Sequence, residues 1–207
     1  MPAERIPLGD LLDPGHHRTL EKLTERISRG AVFIYPTETI YGIGGRCDNA
    51  EVYRRIIAVK ERPPDQPMIL VAAHRSSLTF LDISLPPAAR QLAAAWWPGP
   101  LTIVLPSASR PEGIAVRVSD HPFLCVLAHS FTVPLFSTSA NVSGTPYRPD
   151  PDTIFAEMKD QVDFMVDAGV LPVSEPSTVV RVGEDNTVTV LREGVVSTAA
   201  IRSTVTG

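Results

Sequence analysis

The sequence predicts a mixed α/β fold: a single-domain twisted sheet with flanking helices. Two observations carry this reading. Short apolar, β-branched runs alternate with segments of helical periodicity along most of the chain. The last strands then cluster without helices between them, whereas a purely parallel sheet needs a crossover before every strand. With 207 residues, 43% of them hydrophobic, the chain can bury one sizeable core.

An amphipathic helix is predicted over about 17–29, closed by Gly30. AVFIYPT follows as a buried strand ending near Pro36, with Thr37 to Gly45 as its exit loop. Asp48 with Glu51 three residues on reads as a helix cap. Val52/Ile56 and Tyr53/Ile57 then pair at helical spacing up to about Glu61, before Pro63 and Pro64 stop the helix. Next come a strand at PMILVA, a helix from Pro86 to Trp97, a strand at LTIVLPS and the strictly alternating IAVRVS. In that last strand Arg117 must point opposite to Ile114, Val116 and Val118. A helix near 121–129 leads into PLFSTSA. A further helix near 151–160 precedes strands near 162–167, at STVVRV and at TVTVLRE. No internal repeat or low-complexity tract interrupts the series.

The formal net charge of −4 leaves no broad positive field to hold bulk nucleic acid by counterion release. Cys47 and Cys125, without CxxC spacing, suit a reducing compartment. The start, MPAERIPLGDLLDP, carries charges and prolines where a signal peptide needs an apolar stretch. Nowhere do 18 apolar residues run together, so a cytoplasmic protein is expected.

Several clusters carry chemistry-bearing side chains at strand ends, where open sheets bind ligands. Thr37 to Gly44 combines hydroxyls and glycines, but the glycine spacing fails as a dinucleotide fingerprint and no Walker A sequence exists. Lys60 and Arg62 leave a helix end before a proline-stiffened loop. They either complement the helix dipole or hold a triphosphate. Arg117 is surface decoration if its face meets solvent, and a carboxylate fork if that face lines a cleft. Ser137 to Gly144 holds more hydroxyl and amide groups than a turn needs. Ser177-Thr178 and Arg192 repeat the pattern. There is no GxSxG elbow, and the five histidines form no metal-ligand spacing, so no protein metal site is expected.

Taken in order, PTETIYGIGG, VKERPPDQPMILV, WWPGPLTIVLP, IAVRVSDHP, STSANVSG, STVVRV and VLREG resemble the YrdC-type threonylcarbamoyl-AMP synthase family. The resemblance covers about residues 18–197 of one domain spanning 1–207, in the family's short form. It implies a sheet curled around an open cavity that binds ATP without a Walker A loop. It also implies a nucleotidyltransferase that makes threonylcarbamoyl-AMP and pyrophosphate from ATP, L-threonine and bicarbonate, with Mg²⁺ arriving on the ATP. The product would pass to a tRNA threonylcarbamoyl-transferase complex, which modifies the adenosine next to the anticodon. By motif, Lys60 and Arg62 would be catalytic and, with Ser139 and Asn141, would hold the phosphates. Gln66, Gly113, Tyr147 and Arg192 would line the ATP site, and Thr39, Arg117, Ser137 and Ser177 the threonine pocket. Two positions depart from the family pattern: Gln66 stands for an Asn, and Val71 for a commonly polar His. Two alternatives stay open on sequence: an RNA-binding module of the same fold, and a paralogue making a different carbamoyl-adenylate. The acidic balance and the lack of interleaved aromatics disfavour the first.

Overall fold

A computed structural model describes residues 3–63, 67–172 and 175–206. Among them ten strands form one sheet: β1 (Glu4–Pro7), β2 (Phe33–Tyr35), β3 (Gly42–Arg46), β4 (Ile69–Ala72), β5 (Leu101–Leu105), β6 (Ile114–Val118), β7 (Leu135–Ser139), β8 (Phe164–Asp167), β9 (Thr178–Val182) and β10 (Val188–Arg192). Their spatial order is β1-β8-β2-β3-β7-β4-β6-β5-β9-β10. Parallel and antiparallel pairs are mixed: β2 to β3, β3 to β7 and β7 to β4 run antiparallel, while β4 to β6 and β5 to β9 run parallel. The late pair β9 and β10 is an antiparallel hairpin with no helix between its strands, as the clustering predicts.

Side chains alternate across the sheet and divide the apolar residues into two cores. On one face Ile43, Leu70, Val116 and Phe136 pack with Val52 and Ile56 of helix α3 (Ala50–Val59), Leu92 of α4 (Pro87–Trp96) and Ile201 of α7 (Thr198–Thr206). On the other, Phe33, Tyr35, Val71 and Leu135 pack with Leu11 of α1 (Leu8–Leu12), Leu23 and Ile27 of α2 (His17–Ser28) and Leu124 of α5 (Pro122–Leu127). Helix α6 (Pro151–Met158) buries Ile154 and Met158 in the first core. On the second face the central strands carry Gly42, Ser137, Ser139 and Arg117 in place of core residues. A hollow is left there, and it becomes the site.

Two local expectations are corrected. The segment Thr37 to Gly45 is a loop only as far as Tyr41, because Gly42–Arg46 is the central strand β3. Glycine disfavours strands, so composition hides it. The neighbouring chain requires the glycine nonetheless: a Cβ on Gly44 would stand 1.8 Å from the Phe136 carbonyl oxygen. The cap of α3 is Asn49, whose Oδ1 accepts from the amides of Glu51 (2.9 Å) and Val52 (3.4 Å). Asp48 is turned away and pairs with Arg46 Nε at 2.5 Å. The remaining helices and strands predicted after residue 50 fall where periodicity puts them, give or take their end residues.

Candidate active site: an arginine-lined cavity

The loop from β2 to β3 is folded by one hydroxyl. Thr37 Oγ1 donates to Ile40 O (2.7 Å) and accepts from the amides of Thr39 and Ile40, both at 3.3 Å. This side-chain turn needs no helix or ladder. It brings Thr39 Oγ1 within 3.0 Å of Arg117 Nη1. The guanidinium of Arg117, 5% exposed, is held at its Nε edge by Gly99 O and Glu38 Oε1, each at 3.2 Å. Glu38 is anchored in turn by Ser119, whose hydroxyl donates to its Oε2 at 2.5 Å. Nη2 lies 2.6 Å from Glu38 Oε1, an ion-pair distance, yet this buried nitrogen makes no hydrogen bond among the described residues. The contact is electrostatic, and the donor remains open to a further acceptor.

Across the hollow, Arg192 at the end of β10 donates through Nη2 to Ser177 O at 2.8 Å. The Ser177 hydroxyl is hydrogen-bonded to that of the fully buried Thr102 at 2.9 Å. Burial, and then the neighbouring positive charge of Arg117, lower the Arg192 pKa from its usual value. Two guanidiniums that repel across a cavity favour an anion between them.

The third cation enters from the end of α3. That helix closes with Glu61 at φ +50, while the amides of Glu61 and Arg62 bond Ala58 O and Ile57 O, both at 3.1 Å. This left-handed close turns Lys60 and Arg62 to different tasks. Arg62 Nε donates to Ser143 Oγ at 2.8 Å on the cavity rim. Lys60 is buried beneath the turn after β7, its Nζ donating to Ser139 O (2.5 Å), Asn141 Oδ1 (3.0 Å) and Asn141 O. Burial, with Arg62 nearby, pulls the Lys60 ammonium down to about 7. Its oxygen partners work against that loss by accepting from the charged form. Asn141 Nδ2 donates to Thr145 O at 2.6 Å, and Tyr147 accepts from the Tyr41 amide at 2.9 Å, so this segment is also tied to the loop that leads into β3.

The resulting cavity, about 310 Å³, brings together Thr39, Arg62, Arg117, Ser137, Ser139, Tyr147, Ser177 and Arg192. Its described lining has three arginines and no Asp or Glu, in a protein whose net charge is negative. Val71, in register with Arg117, gives it an apolar wall alongside Ile69 and Met68. Three predicted residues are not on this lining: Lys60, Asn141 and Gly113, with Asn141 in the turn directly after the lining Ser139. Lys60 lies below it. Gly113 sits in the β5 to β6 turn at φ +80, where a Cβ would meet Leu105 O at 2.7 Å. Four residues of strand, about 13 Å, separate it from Arg117. Its glycine is explained by the turn. Gln66 lies outside the described residues. Sequence reasoning missed Glu38, Ser119 and Thr102 as supports; the signal for Glu38 was its place between Thr37 and Thr39 in the motif already singled out. Among the described residues no three His, Cys, Asp or Glu converge as metal ligands, and no helix is long and apolar enough to cross a membrane.

Fold and site together define an open-sheet α/β protein with an arginine-lined cavity rimmed by hydroxyls. The chain belongs to the Sua5/YciO/YrdC family: the family model described as "Telomere recombination" matches residues 25–194. A Vibrio vulnificus protein named threonylcarbamoyl-AMP synthase is 32% identical over 185 residues, covering 84% of this chain and 98% of its own. The P. abyssi Sua5 structure solved in complex with L-threonine is similar with a TM-score of 0.85 at 25% identity. That match covers 99% of this chain but only 61% of the Sua5 chain. E. coli YciO matches with a TM-score of 0.78 at 25% identity, over 93% of this chain and 95% of its own.

Proposed function

We propose that this protein is a threonylcarbamoyl-AMP synthase, joining ATP, L-threonine and bicarbonate into threonylcarbamoyl-AMP with release of pyrophosphate. The observation that carries the reading is the cavity itself: three guanidiniums on a described lining that holds no carboxylate, surrounded by serine and threonine hydroxyls. Such a site suits one substrate with a carboxylate and another with phosphates. The names of the relatives and the threonine complex of P. abyssi Sua5 agree with it.

Arg117, through its open nitrogens, takes the threonine carboxylate, with Thr39, Ser137 and Ser177 around the amino acid. Arg62, Ser139, Asn141, Tyr147 and Arg192 receive the nucleotide, and Lys60 frames the turn that carries two of them. The threonine amine adds to bicarbonate, losing water, to give a carbamate. A carbamate oxygen attacks the α-phosphorus, and the bond to the pyrophosphate oxygen breaks. The described lining carries hydroxyls but no Cys, His, Lys, Asp or Glu, so the residues act by alignment and by stabilising phosphate charge. Mg²⁺ comes as part of the ATP substrate and neutralises its phosphates. The adenylate is consumed in the cytoplasm by a complex that transfers the threonylcarbamoyl group to tRNA.

The test is incubation with ATP, labelled bicarbonate and each amino acid singly. Labelled adenylate and pyrophosphate are expected with threonine. Pyrophosphate release without any labelled adenylate, or a stronger product with another amino acid, overturns the assignment.

A further inference from the structure

Arg117 is held asymmetrically, and that asymmetry identifies a residue outside the cavity lining. Its Nε edge is fully engaged by Gly99 O and Glu38 Oε1. Nη2 stands 2.6 Å from that same Glu38 oxygen without a hydrogen-bond geometry, and Nη1 spends one proton on Thr39 Oγ1, so the far end between the two Nη atoms has no acceptor among the described residues. A guanidinium can receive a carboxylate side-on, through Nε and one Nη, or end-on through both Nη atoms. Here the side-on edge is closed by groups of the protein, so only the end-on approach remains. Glu38 is itself kept from swinging by the Ser119 hydroxyl on its second oxygen.

We propose that Glu38 is a positioning residue that fixes Arg117 for end-on capture of the amino-acid carboxylate, with Ser119 holding Glu38 in place. The inference rests on the amino-acid role given to Arg117 above. Three features of Glu38 favour it over a simple surface ion pair. Its side chain is 22% exposed against 7% for Arg117, so the pair is largely shielded from water. It is absent from the cavity lining, so it does not compete with the substrate for space. Both of its oxygens accept, one from the guanidinium and one from a fully buried serine. The geometry depends on side-chain length and on acceptor oxygens more than on charge.

That distinction gives the experiment. Glu38→Gln preserves length: its carbonyl accepts from Arg117 while its amide donates to a rotated Ser119 hydroxyl. Glu38→Asp preserves charge but shortens the reach by one methylene. KM for threonine and for ATP are measured with kcat for adenylate formation by both variants and the parent, alongside melting temperature. The expected result is a KM for threonine raised about 10-fold in Glu38→Asp, as for loss of a hydrogen bond to a charged group. KM for ATP stays within about 2-fold, and Glu38→Gln recovers most of the threonine KM. Ser119→Ala, which frees Glu38 without touching its charge, moves the threonine KM in the same direction as Glu38→Asp and serves if that variant does not fold. The inference is overturned if Glu38→Gln is impaired and Glu38→Asp is not, or if both KM values move together. A parent protein that makes no adenylate from threonine overturns the functional reading and this one with it. A working parent with indifferent Glu38 variants overturns only this one.

Discussion

Lys60→Met separates two roles for the buried lysine: a contact on the nucleotide, or a frame for the turn that carries Ser139 and Asn141. The ammonium donates to Ser139 O at 2.5 Å, to Asn141 Oδ1 at 3.0 Å and to Asn141 O. Methionine fills nearly the same volume, so no cavity term enters, but three acceptors lose their donor. At the lower end of about 1–3 kcal/mol for each unsatisfied buried group, the loss is about 3 kcal/mol. For a chain of this size that corresponds to a fall in Tm of roughly 6–12 °C, read by calorimetry without ligand. The turn also holds Arg62 through Ser143, so the same variant should lose adenylate formation. A frame predicts both effects together. A Lys60→Met protein that melts within about 2 °C of the parent, and is impaired only in KM for ATP, would refute the framing argument and return the lysine to the phosphates.

Three further outcomes follow from the same geometry. Gly44→Ala should fail to fold, because the new Cβ would stand 1.8 Å from a backbone oxygen of the adjacent strand. Gly9→Ala, with nothing within 4 Å of the added carbon, should fold normally, and a soluble expression screen compares the two. Glu61→Gly should raise stability by about 0.5–1 kcal/mol in urea titration, since φ +50 at the helix close suits glycine; a lower midpoint would contradict this. The Lys60 titration has a defined sign. Its folded pKa near 7 lies below the ordinary 10.5, so between those values the unfolded chain binds more protons and stability rises with pH. The stability difference between the parent and Lys60→Met should widen from pH 7 to pH 9, by at most about 1.4 kcal/mol per unit. A difference that stays level across that range contradicts the shift.

The sequence made most of the fold legible because most elements announce themselves by period. IAVRVS alternates without exception, and the Arg117 it places on the face opposite Val116 does line the cavity. The strand β3 was illegible for a physical reason: GIGGR carries none of the side chains that signal a strand, and its glycines are required by neighbours that only the fold brings near. The site followed the same division. Ser139, Ser177 and Arg192 stand at strand ends and Thr39 in the loop after one, where a one-dimensional reading looks for them, and Ser137 lies two residues inside β7. Lys60 and Arg62 are two residues apart and looked equivalent, but the left-handed Glu61 between them sends one beneath the turn and one to the rim. Gly113 was implied by the family resemblance alone, and the tight turn at φ +80 requires a glycine there on its own account.

How an acidic chain keeps an anion site depends on where its carboxylates are spent. Asp167 and Asp152 engage Arg5, Glu4 and Asp163 engage Arg26 and Arg55, and Asp48 engages Arg46, all away from the cavity lining. The cavity keeps Arg62 and Arg192 without a carboxylate on the described lining, so the negative charge they require has to come from the substrates. Glu38 is the exception, and its placement explains why it is tolerated. It partly neutralises Arg117, which otherwise would be an isolated buried charge within electrostatic reach of Arg192, and does so from the Nε edge. An acid on the open side of Arg117 would compete with the amino-acid carboxylate directly. The position of that one carboxylate, behind the arginine, reconciles a stable empty cavity with an anion-seeking one.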